Sequence, residues 1–178
     1  MKIIAIRHAE TNYNVLGLVN YDPSVDVHLT EQGEKQAREL AEKLKGRSID
    51  LIIVSEFKRT RQTADIINSH HDAEILVEPL LNDIRNGFEG RPVAEYHEAR
   101  DNASDKLNTR FNDGESISDV NFRTRDFLAK LSARPEATIL IVTSKHNLKQ
   151  IRTIIEDLPA EAAVGMPMPN AAMFEFTI

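Results

Sequence analysis

Apolar runs and stretches of helical periodicity alternate along the chain. Residues 2–6 form an apolar run without polar alternation, which is typical of a strand buried on both faces. Thr30 is a natural N-cap, and apolar residues then recur at helical spacing until Gly46. The same patterns predict further strands at residues 49–54, 74–77, 137–143 and 172–178, and further helices at residues 60–68, 116–131 and 147–157.

This alternation predicts the fold class. Strands joined by helices pair in parallel, and the helices then cover both faces of the sheet. We therefore expect an α/β protein, a three-layer α/β/α sandwich with a mainly parallel central sheet. No linker, repeat or low-complexity segment interrupts the pattern, so residues 1–178 are predicted to form a single domain. The periodicity weakens over residues 82–113, which we interpret as a short insert near the pocket.

The composition of the chain argues against several classes of function. Apolar residues make up 41% and charged residues 28% of the chain, the balance of a globular protein. The net charge of -6 argues against nucleic-acid binding, which needs a concentrated basic face. The absence of cysteine excludes disulfides, thiolate catalysis and cysteine-ligated zinc. No apolar run approaches the roughly 20 residues of a membrane span, and the N-terminal run is too short for a signal peptide. We therefore expect a cytoplasmic protein that does not bind membranes.

Polar side chains suited to phosphate chemistry follow the predicted strands. Arg7-His8, the segment 55–59 that ends in Arg59, and residues 144–146 each come directly after a buried strand. Ligands of parallel sheets bind beyond the carboxyl ends of the strands, so these segments should meet. Arginine forks match phosphoryl oxygens, and an imidazole between arginines has a lowered proton affinity and can act as a nucleophile. This set favours phosphoryl transfer through a phosphohistidine.

Five blocks of the sequence, in the same order, resemble the histidine phosphatase superfamily, in its phosphoglycerate-mutase-like branch. The opening block differs from the family's Arg-His-Gly-Glu-Thr pattern only at Ala9. The resemblance covers essentially the whole chain. The blocks are Arg7-His8-Ala9-Glu10-Thr11 with Asn14, Leu29-Thr30-Glu31-Gln32-Gly33 with Gln36-Ala37, residues 55–64, Gly114-Glu115-Ser116 with Val120 and Arg123, and Asn170 before the last strand.

The resemblance implies a role for each matching residue. His8 would be the nucleophile that accepts the phosphoryl group, and Arg7 and Arg59 would hold its oxygens. Asn14 would donate a hydrogen bond to the same group, and Thr11 would belong to the phosphate-binding set. Donors of this kind stabilise the charge of the transition state. Because the guanidiniums supply the positive charge, no metal or other cofactor is expected.

The segment that carries the family's general acid departs from the pattern. That acid is usually a glutamate. Alignment on Leu81 and Ile84 places Asp83 at its position, one methylene shorter. Alignment on Glu89-Gly90 instead places Asn82 there, which cannot donate a proton as an acid. We interpret Asp83 as the acid.

The segment after the fourth predicted strand departs further. In the family a second histidine follows this strand, contacts the phosphoryl group and helps to orient the nucleophile. Counting back from Leu158-Pro159 without a gap places Ser144 at this position. Serine can donate one hydrogen bond but carries no positive charge. Either His146 folds back from the start of the helix to take over as a catalytic residue, with Ser144 as a phosphate-binding group, or the site is slow or inactive.

We interpret the chain as a histidine acid phosphatase-like phosphatase that hydrolyses a small phosphorylated metabolite. Phosphate would pass to His8 and then to water, with Asp83 protonating the leaving alcohol. Phosphoglycerate mutase-type transfer between two positions of one substrate is the alternative within the same chemistry. A catalytically weak or inactive member that binds a phosphate ligand or a protein is the alternative from another class, because of Ser144. The sequence indicates no oligomeric state.

Overall fold

The computed structural model describes all residues from 1 to 178 and is built around a mixed five-stranded sheet. Its order is β3-β2-β4-β1-β5. The first four strands are mutually parallel, whereas β5 runs antiparallel to β1 at one edge. This confirms the predicted fold class. The strands are β1 Lys2–Arg7, β2 Leu51–Val54, β3 Glu74–Val77, β4 Thr138–Thr143 and β5 Met173–Thr177.

Helices cover both faces of the sheet. They are α1 Asn12–Leu16, α2 Glu31–Leu44, α3 Lys58–Asn68, α4 Val93–Asp101, α5 Ile117–Ser132, α6 Lys145–Ile155 and α7 Ala162–Gly165, with a 3₁₀ turn at Pro79–Leu81. The alternate residues of each strand divide between two cores. Ile3 and Ile139 pack with α5 and α6, whereas Ile4 and Leu140 pack with α2 and α3. Strands buried on both faces explain the continuous apolar runs of the sequence.

The element boundaries differ modestly from the predicted ones. β2 begins at Leu51 rather than at residue 49, and α3 begins at Lys58 rather than at residue 60. The helix predicted to begin near residue 147 begins instead at Lys145, with Ser144 as its N-cap residue. The sequence did not predict α1, α4 or α7. Helices α1 and α7 span only five and four residues, which is too short for a periodic pattern. Helix α4 is longer, but Tyr96 is its only buried residue, so its sequence shows no periodic apolar face.

The register of the sheet brings the polar segments together. Arg7 at the end of β1 pairs with Thr143 at the end of β4, and the amide of His8 donates to the carbonyl of Thr143 at 2.9 Å. The residues that precede the antiparallel β5 reach the same edge, where the carbonyl of Ala172 accepts from the Arg7 amide at 2.9 Å. None of the helices has the length and hydropathy needed to cross a bilayer.

Candidate active site

A cavity of about 310 Å³ opens at the carboxyl ends of β1, β2 and β4. Seven of the eight residues predicted from the sequence line it. Ser144 is the exception, because its side chain is fully buried behind the cavity wall against Arg59. The lining residues among the predicted set are Arg7, His8, Thr11, Asn14, Arg59, Asp83 and His146.

His8 lies at the base of this cavity and is only 3% exposed. Its Nδ1 is 2.8 Å from the carbonyl oxygen of Ala9. A carbonyl can only accept, so Nδ1 carries the proton and Nε2 keeps its lone pair in the neutral ring. Burial, together with the positive charges of Arg59 and Arg7, holds the pKa of His8 well below its usual value. The geometry therefore presents a neutral imidazole with one unprotonated nitrogen.

The turn that follows His8 is held by the second sequence block. The Thr30 hydroxyl donates to Glu10 Oε1 at 2.7 Å, and the Glu10 amide donates to Gln36 Oε1 at 2.9 Å. A Cβ at Gly33 would lie 2.0 Å from the carbonyl oxygen of Glu10, so only glycine allows this approach. Helix α2 thus packs directly on the turn, which explains why the Thr-Glu-Gln-Gly pattern accompanies the histidine.

Ala9, where the family has glycine, fits its site. The residue is fully buried and packs against Leu29 and Ala37. Its amide donates to the hydroxyl of Thr63 at 3.1 Å. The extra methyl group is accommodated within a packed cluster, so this departure leaves the turn intact.

Two guanidiniums flank the imidazole. Arg7 donates from Nη1 to the carbonyl of Met168 at 2.5 Å, and burial lowers its pKa to about 10. Arg59 donates from Nη1 to Asn20 Oδ1, and its Nη2 lies 3.3 Å from Ser144 Oγ. The Nε atoms of both arginines are buried without a hydrogen-bond partner in the protein. Both side chains stay charged at neutral pH and retain donors for an anion.

Asp83 and His146 form a hydrogen-bonded pair at the cavity wall. His146 lies in the first turn of α6, with Nδ1 3.0 Å from Asp83 Oδ1. The other carboxylate oxygen is 3.6 Å from Arg59 Nη2. Burial acts to raise the pKa of Asp83, but the hydrogen bond and charge of His146, with the charge of Arg59, outweigh it and lower the pKa. The carboxylate is therefore ionised at neutral pH and fixes the orientation of the imidazole.

The loop that carries Asp83 is anchored by the Gly-Glu-Ser block. The Arg85 amide donates to Glu115 Oε2 at 2.9 Å, and Arg123 Nε donates to Glu115 Oε1 at 2.8 Å. A Cβ at Gly114 would lie 2.2 Å from the carbonyl oxygen of Arg85, which requires glycine there. This block therefore positions the loop rather than contacting the cavity.

Asn14 lies at the cavity mouth with a defined orientation. Its Oδ1 accepts from the Thr11 amide at 3.1 Å and from Asn170 Nδ2 at 2.9 Å. These two donors place the oxygen on the protein side, so the Nδ2 group is free to donate. The Thr11 hydroxyl accepts from the Asn14 amide at 3.1 Å and caps α1. Asn170 also donates to the His8 carbonyl at 3.2 Å, which links the last block to the first.

Further residues line the cavity that the sequence did not single out as site residues. Asn20 holds Arg59 through both its side-chain oxygen and its carbonyl. Lys145 lies two residues after the end of β4, within the segment 144–146 that was expected at this edge, so the strand-end rule could have identified it. Tyr96 and His97 come from α4, where the weak periodicity gave no signal, and burial raises the pKa of Tyr96 to about 12. No three His, Asp or Glu side chains are grouped as metal ligands.

Comparison with known proteins places this geometry in a family. The model of the histidine phosphatase superfamily (branch 1) matches residues 3–178. The chain belongs to the histidine phosphatase superfamily. The cavity lies at the carboxyl ends of the strands, where the position of the polar segments along the chain predicted that they would meet.

Named relatives and a solved structure extend this assignment. "Phosphoserine phosphatase 1" of Hydrogenobacter thermophilus is 32% identical over 81% of this chain and 70% of that protein. "Probable phosphoglycerate mutase GpmB" of Enterobacter sp. is 29% identical over 97% of this chain and 83% of that protein. The crystal structure of the alpha-ribazole phosphatase from Shigella flexneri has a TM-score of 0.87 at 27% identity and covers all of this chain and 91% of that one. The family and these relatives support phosphoryl transfer as the general chemistry.

Proposed function

We propose that this protein hydrolyses a small phosphomonoester through a phosphohistidine formed on His8. The observation that carries the proposal is the hydrogen bond from Nδ1 to the Ala9 carbonyl, which leaves the lone pair on Nε2. The lowered pKa of His8 keeps this nitrogen unprotonated at neutral pH. Attack of Nε2 on phosphorus forms the N–P bond and breaks the bond from phosphorus to the leaving oxygen.

Arg7, Arg59 and Asn14 would hold the oxygens of the transferring group. The buried guanidinium of Arg59 and the partly buried one of Arg7 bring positive charge to the cavity, where it would stabilise the charge of the transition state. Their unpartnered Nε atoms would gain acceptors from a phosphoryl group. Thr11 and Ser144 would act indirectly, because Thr11 caps the turn of Asn14 and Ser144 contacts Arg59.

The proton for the leaving group would come from the Asp83–His146 pair. Asp83 alone is a poor acid, because its lowered pKa keeps it ionised. In the protonated form of His146, Nε2 holds a proton for the leaving oxygen while the Asp83 carboxylate stabilises the charge of the ring. The neutral imidazole would then take a proton from the water that attacks phosphohistidine, which releases phosphate and restores both histidines.

The test is hydrolysis of p-nitrophenyl phosphate by the protein and by His8→Ala. We expect the variant to lose at least about 1000-fold in kcat, because it lacks the nucleophile. His70→Ala is the matched control, since His70 lies on the surface next to Glu42. Acid-labile phosphate should be trapped on His8 when turnover is quenched. Equal turnover in the His8→Ala variant, or label on another side chain, would overturn the proposal.

Mutase-type transfer is a second candidate, favoured by the GpmB relative, which aligns over 97% of this chain. It shares the first step and differs in the acceptor of the phosphoryl group. Incubation with 3-phosphoglycerate separates the two reactions. Phosphatase activity releases inorganic phosphate, whereas mutase activity forms 2-phosphoglycerate without net release. Binding of phosphate esters without turnover by either protein would instead support a weak or inactive member.

A further inference from the structure

A second cavity of about 520 Å³ adjoins the first one. The two cavities share His97, Lys145 and His146 as lining residues, so these three side chains border both of them. The second cavity extends between α4, the first two turns of α6 and residues 163–169. We call it the basic annex, because its ionisable lining groups are all cations or histidines: His97, Arg100, Lys145, His146 and Lys149.

Lys149 is the innermost cation of the basic annex. It is only 5% exposed, and its Nζ donates to the carbonyls of Ala163 at 2.8 Å and Val164 at 3.2 Å. An ammonium has three donors, so one remains. Burial and the nearby charges of Lys145 and Arg100 lower its pKa to about 8. A buried ammonium held by neutral carbonyls alone retains an uncompensated charge.

Lys145 and Arg100 place further positive charge at the same cavity. Burial, with the charges of Arg7 and Arg100, lowers the pKa of Lys145, while Asp83 opposes this shift. None of the ion pairs in the structure includes Lys145. Arg100 is paired with Asp101 at 2.8 Å through Nη2, so part of its charge is already compensated. The sum is an excess of positive charge at residues that face each other.

We propose that the basic annex binds a second anionic group, a phosphate or carboxylate, at the end of the substrate remote from the transferring phosphoryl group. Buried cations that repel one another are costly unless an anion pairs with them. Because the two cavities adjoin at His97, Lys145 and His146, the far end of a substrate held in the first cavity would lie next to the basic annex. This inference rests on the proposed function, because it treats the first cavity as the site of the reacting phosphate.

Three substrates with the same four-carbon chain test the inference. Butyl phosphate has an uncharged end, 4-(phosphonooxy)butanoate ends in a carboxylate, and butane-1,4-diyl bisphosphate ends in a second phosphate. We expect kcat/KM for at least one charged-end substrate to exceed that of butyl phosphate by about tenfold or more. The charged-end substrate with the larger kcat/KM, relative to butyl phosphate, shows which anion the basic annex prefers. Ratios near 1 for both charged-end substrates would overturn the inference. Hydrolysis of butyl phosphate in the same experiment would still support the proposed function.

Variants show whether the preference arises in the basic annex. Arg100→Gln and Lys145→Gln should each reduce the ratio of charged-end to butyl kcat/KM by several-fold. Arg152→Gln is the matched control. Arg152 lies on α6, as Lys145 does, but it pairs with Glu156 outside the basic annex. The ratio should stay unchanged in that control. A ratio that survives both annex variants would contradict the assignment.

A binding measurement separates failure of the annex from failure of catalysis. Calorimetric titration of His8→Ala with butyl phosphate and butane-1,4-diyl bisphosphate needs no turnover. We expect the bisphosphate to bind about tenfold more tightly, and Arg100→Gln in the same background to remove most of the difference. Equal affinities would overturn the annex even in a protein that hydrolyses phosphate esters.

Discussion

The turns that follow β1 and β4 occupy equivalent places on neighbouring strands but use their residues differently. In the β1 turn, residues 8–11, the histidine comes directly after the strand and is almost fully buried. In the β4 turn, residues 144–147, a buried serine takes that place, and the histidine comes two residues later on the first turn of α6. The pairing of β1 with β4 determines where the backbone leaves the sheet, whereas the position in each turn that supplies a histidine to the cavity differs.

Arg59 connects the two turns and explains how this difference is accommodated. Its Nη2 lies within 3.3 Å of Ser144 Oγ and within 3.6 Å of Asp83 Oδ2. Asp83 in turn holds His146 at 3.0 Å. The chain thus has serine at position 144 and a histidine two residues later that lines the cavity and is oriented by Asp83 from a different element. The following predictions are ordered from the largest expected effect to the smallest.

The largest effect should come from the Asp83–His146 pair. Asp83→Asn should lower kcat for butyl phosphate by about 1000-fold, because a poor leaving group needs a proton. The loss should be smaller for p-nitrophenyl phosphate, whose leaving group departs as an anion. Adding His146→Gln should cost little more, since the two residues act as a unit. Equal losses on both substrates, or multiplied losses in the double variant, would argue against a shared proton donor.

Arg59→Lys should lower kcat/KM by about 100-fold. Lysine keeps the charge but loses the planar fork that contacts Asn20 and Ser144 together. Arg61→Lys is the matched control on the same helix, because Arg61 is exposed and pairs with Asp65. Steady-state kinetics with p-nitrophenyl phosphate measure both. Comparable activity in the two variants would mean that Arg59 acts only as a charge.

The buried imidazole of the β1 turn should make the free energy of unfolding depend on pH. Its pKa is lowered in the folded state, so as pH falls the unfolded chain takes up the proton first, near pH 6.5. The folded state then loses stability, by up to about 1.4 kcal/mol per pH unit from this group. His8→Gln should lack this loss. Urea unfolding of both proteins between pH 7.5 and 5.5 measures the difference, and parallel pH profiles would contradict it.

Ala9→Gly should lower the free energy of unfolding by about 1 kcal/mol, because a buried methyl is lost and the unfolded chain gains freedom. Turnover should stay within twofold, since the turn keeps its hydrogen bond to Thr63. Urea unfolding and kinetics on the same preparation check both statements. A large change in turnover would show that the methyl group shapes the site.

Among the substitutions expected to lower activity, Ser144→Ala should have the smallest effect, a loss of about threefold in kcat/KM. The change removes one hydrogen bond of 3.3 Å to Arg59, which stays anchored by Asn20. Ser144→Asn provides a comparison that keeps a polar group at the N-cap. A loss as large as that of Asp83→Asn would show that the serine itself takes part in the reaction.

The fold and the place of His8 in the cavity were predictable because local patterns determine them. The run of β1 is buried on both faces, and β3 occupies residues 74–77 as the alternation predicted. Arg7 is the last residue of β1 and His8 follows it directly, so topology alone places both at the sheet edge. Arg59 follows β2 for the same reason.

The Asp83–His146 contact was not predictable, because it depends on the phase of α6 and on a loop anchored elsewhere. A helix that began at residue 147 would place His146 before its first turn, whereas the start at Lys145 brings it into hydrogen-bonding distance of Asp83. The sequence also did not predict that Tyr96 and His97 of α4 would line the cavity, for a different reason. Tyr96 is the only buried residue of α4, so the helix forms without a periodic apolar face.

The central position of β1 bears on how the protein is made. The strand lies between β4 and β5, so both of its neighbours are synthesised more than a hundred residues after it. The carbonyl of His8 accepts from Asn170 and from the amide of Ala171, which lie between β4 and β5 in the chain. During synthesis β1 therefore cannot pair on either side until β4 and β5 have followed it along the chain. The cavity that His8 lines is complete only once residues 170–171 are in place.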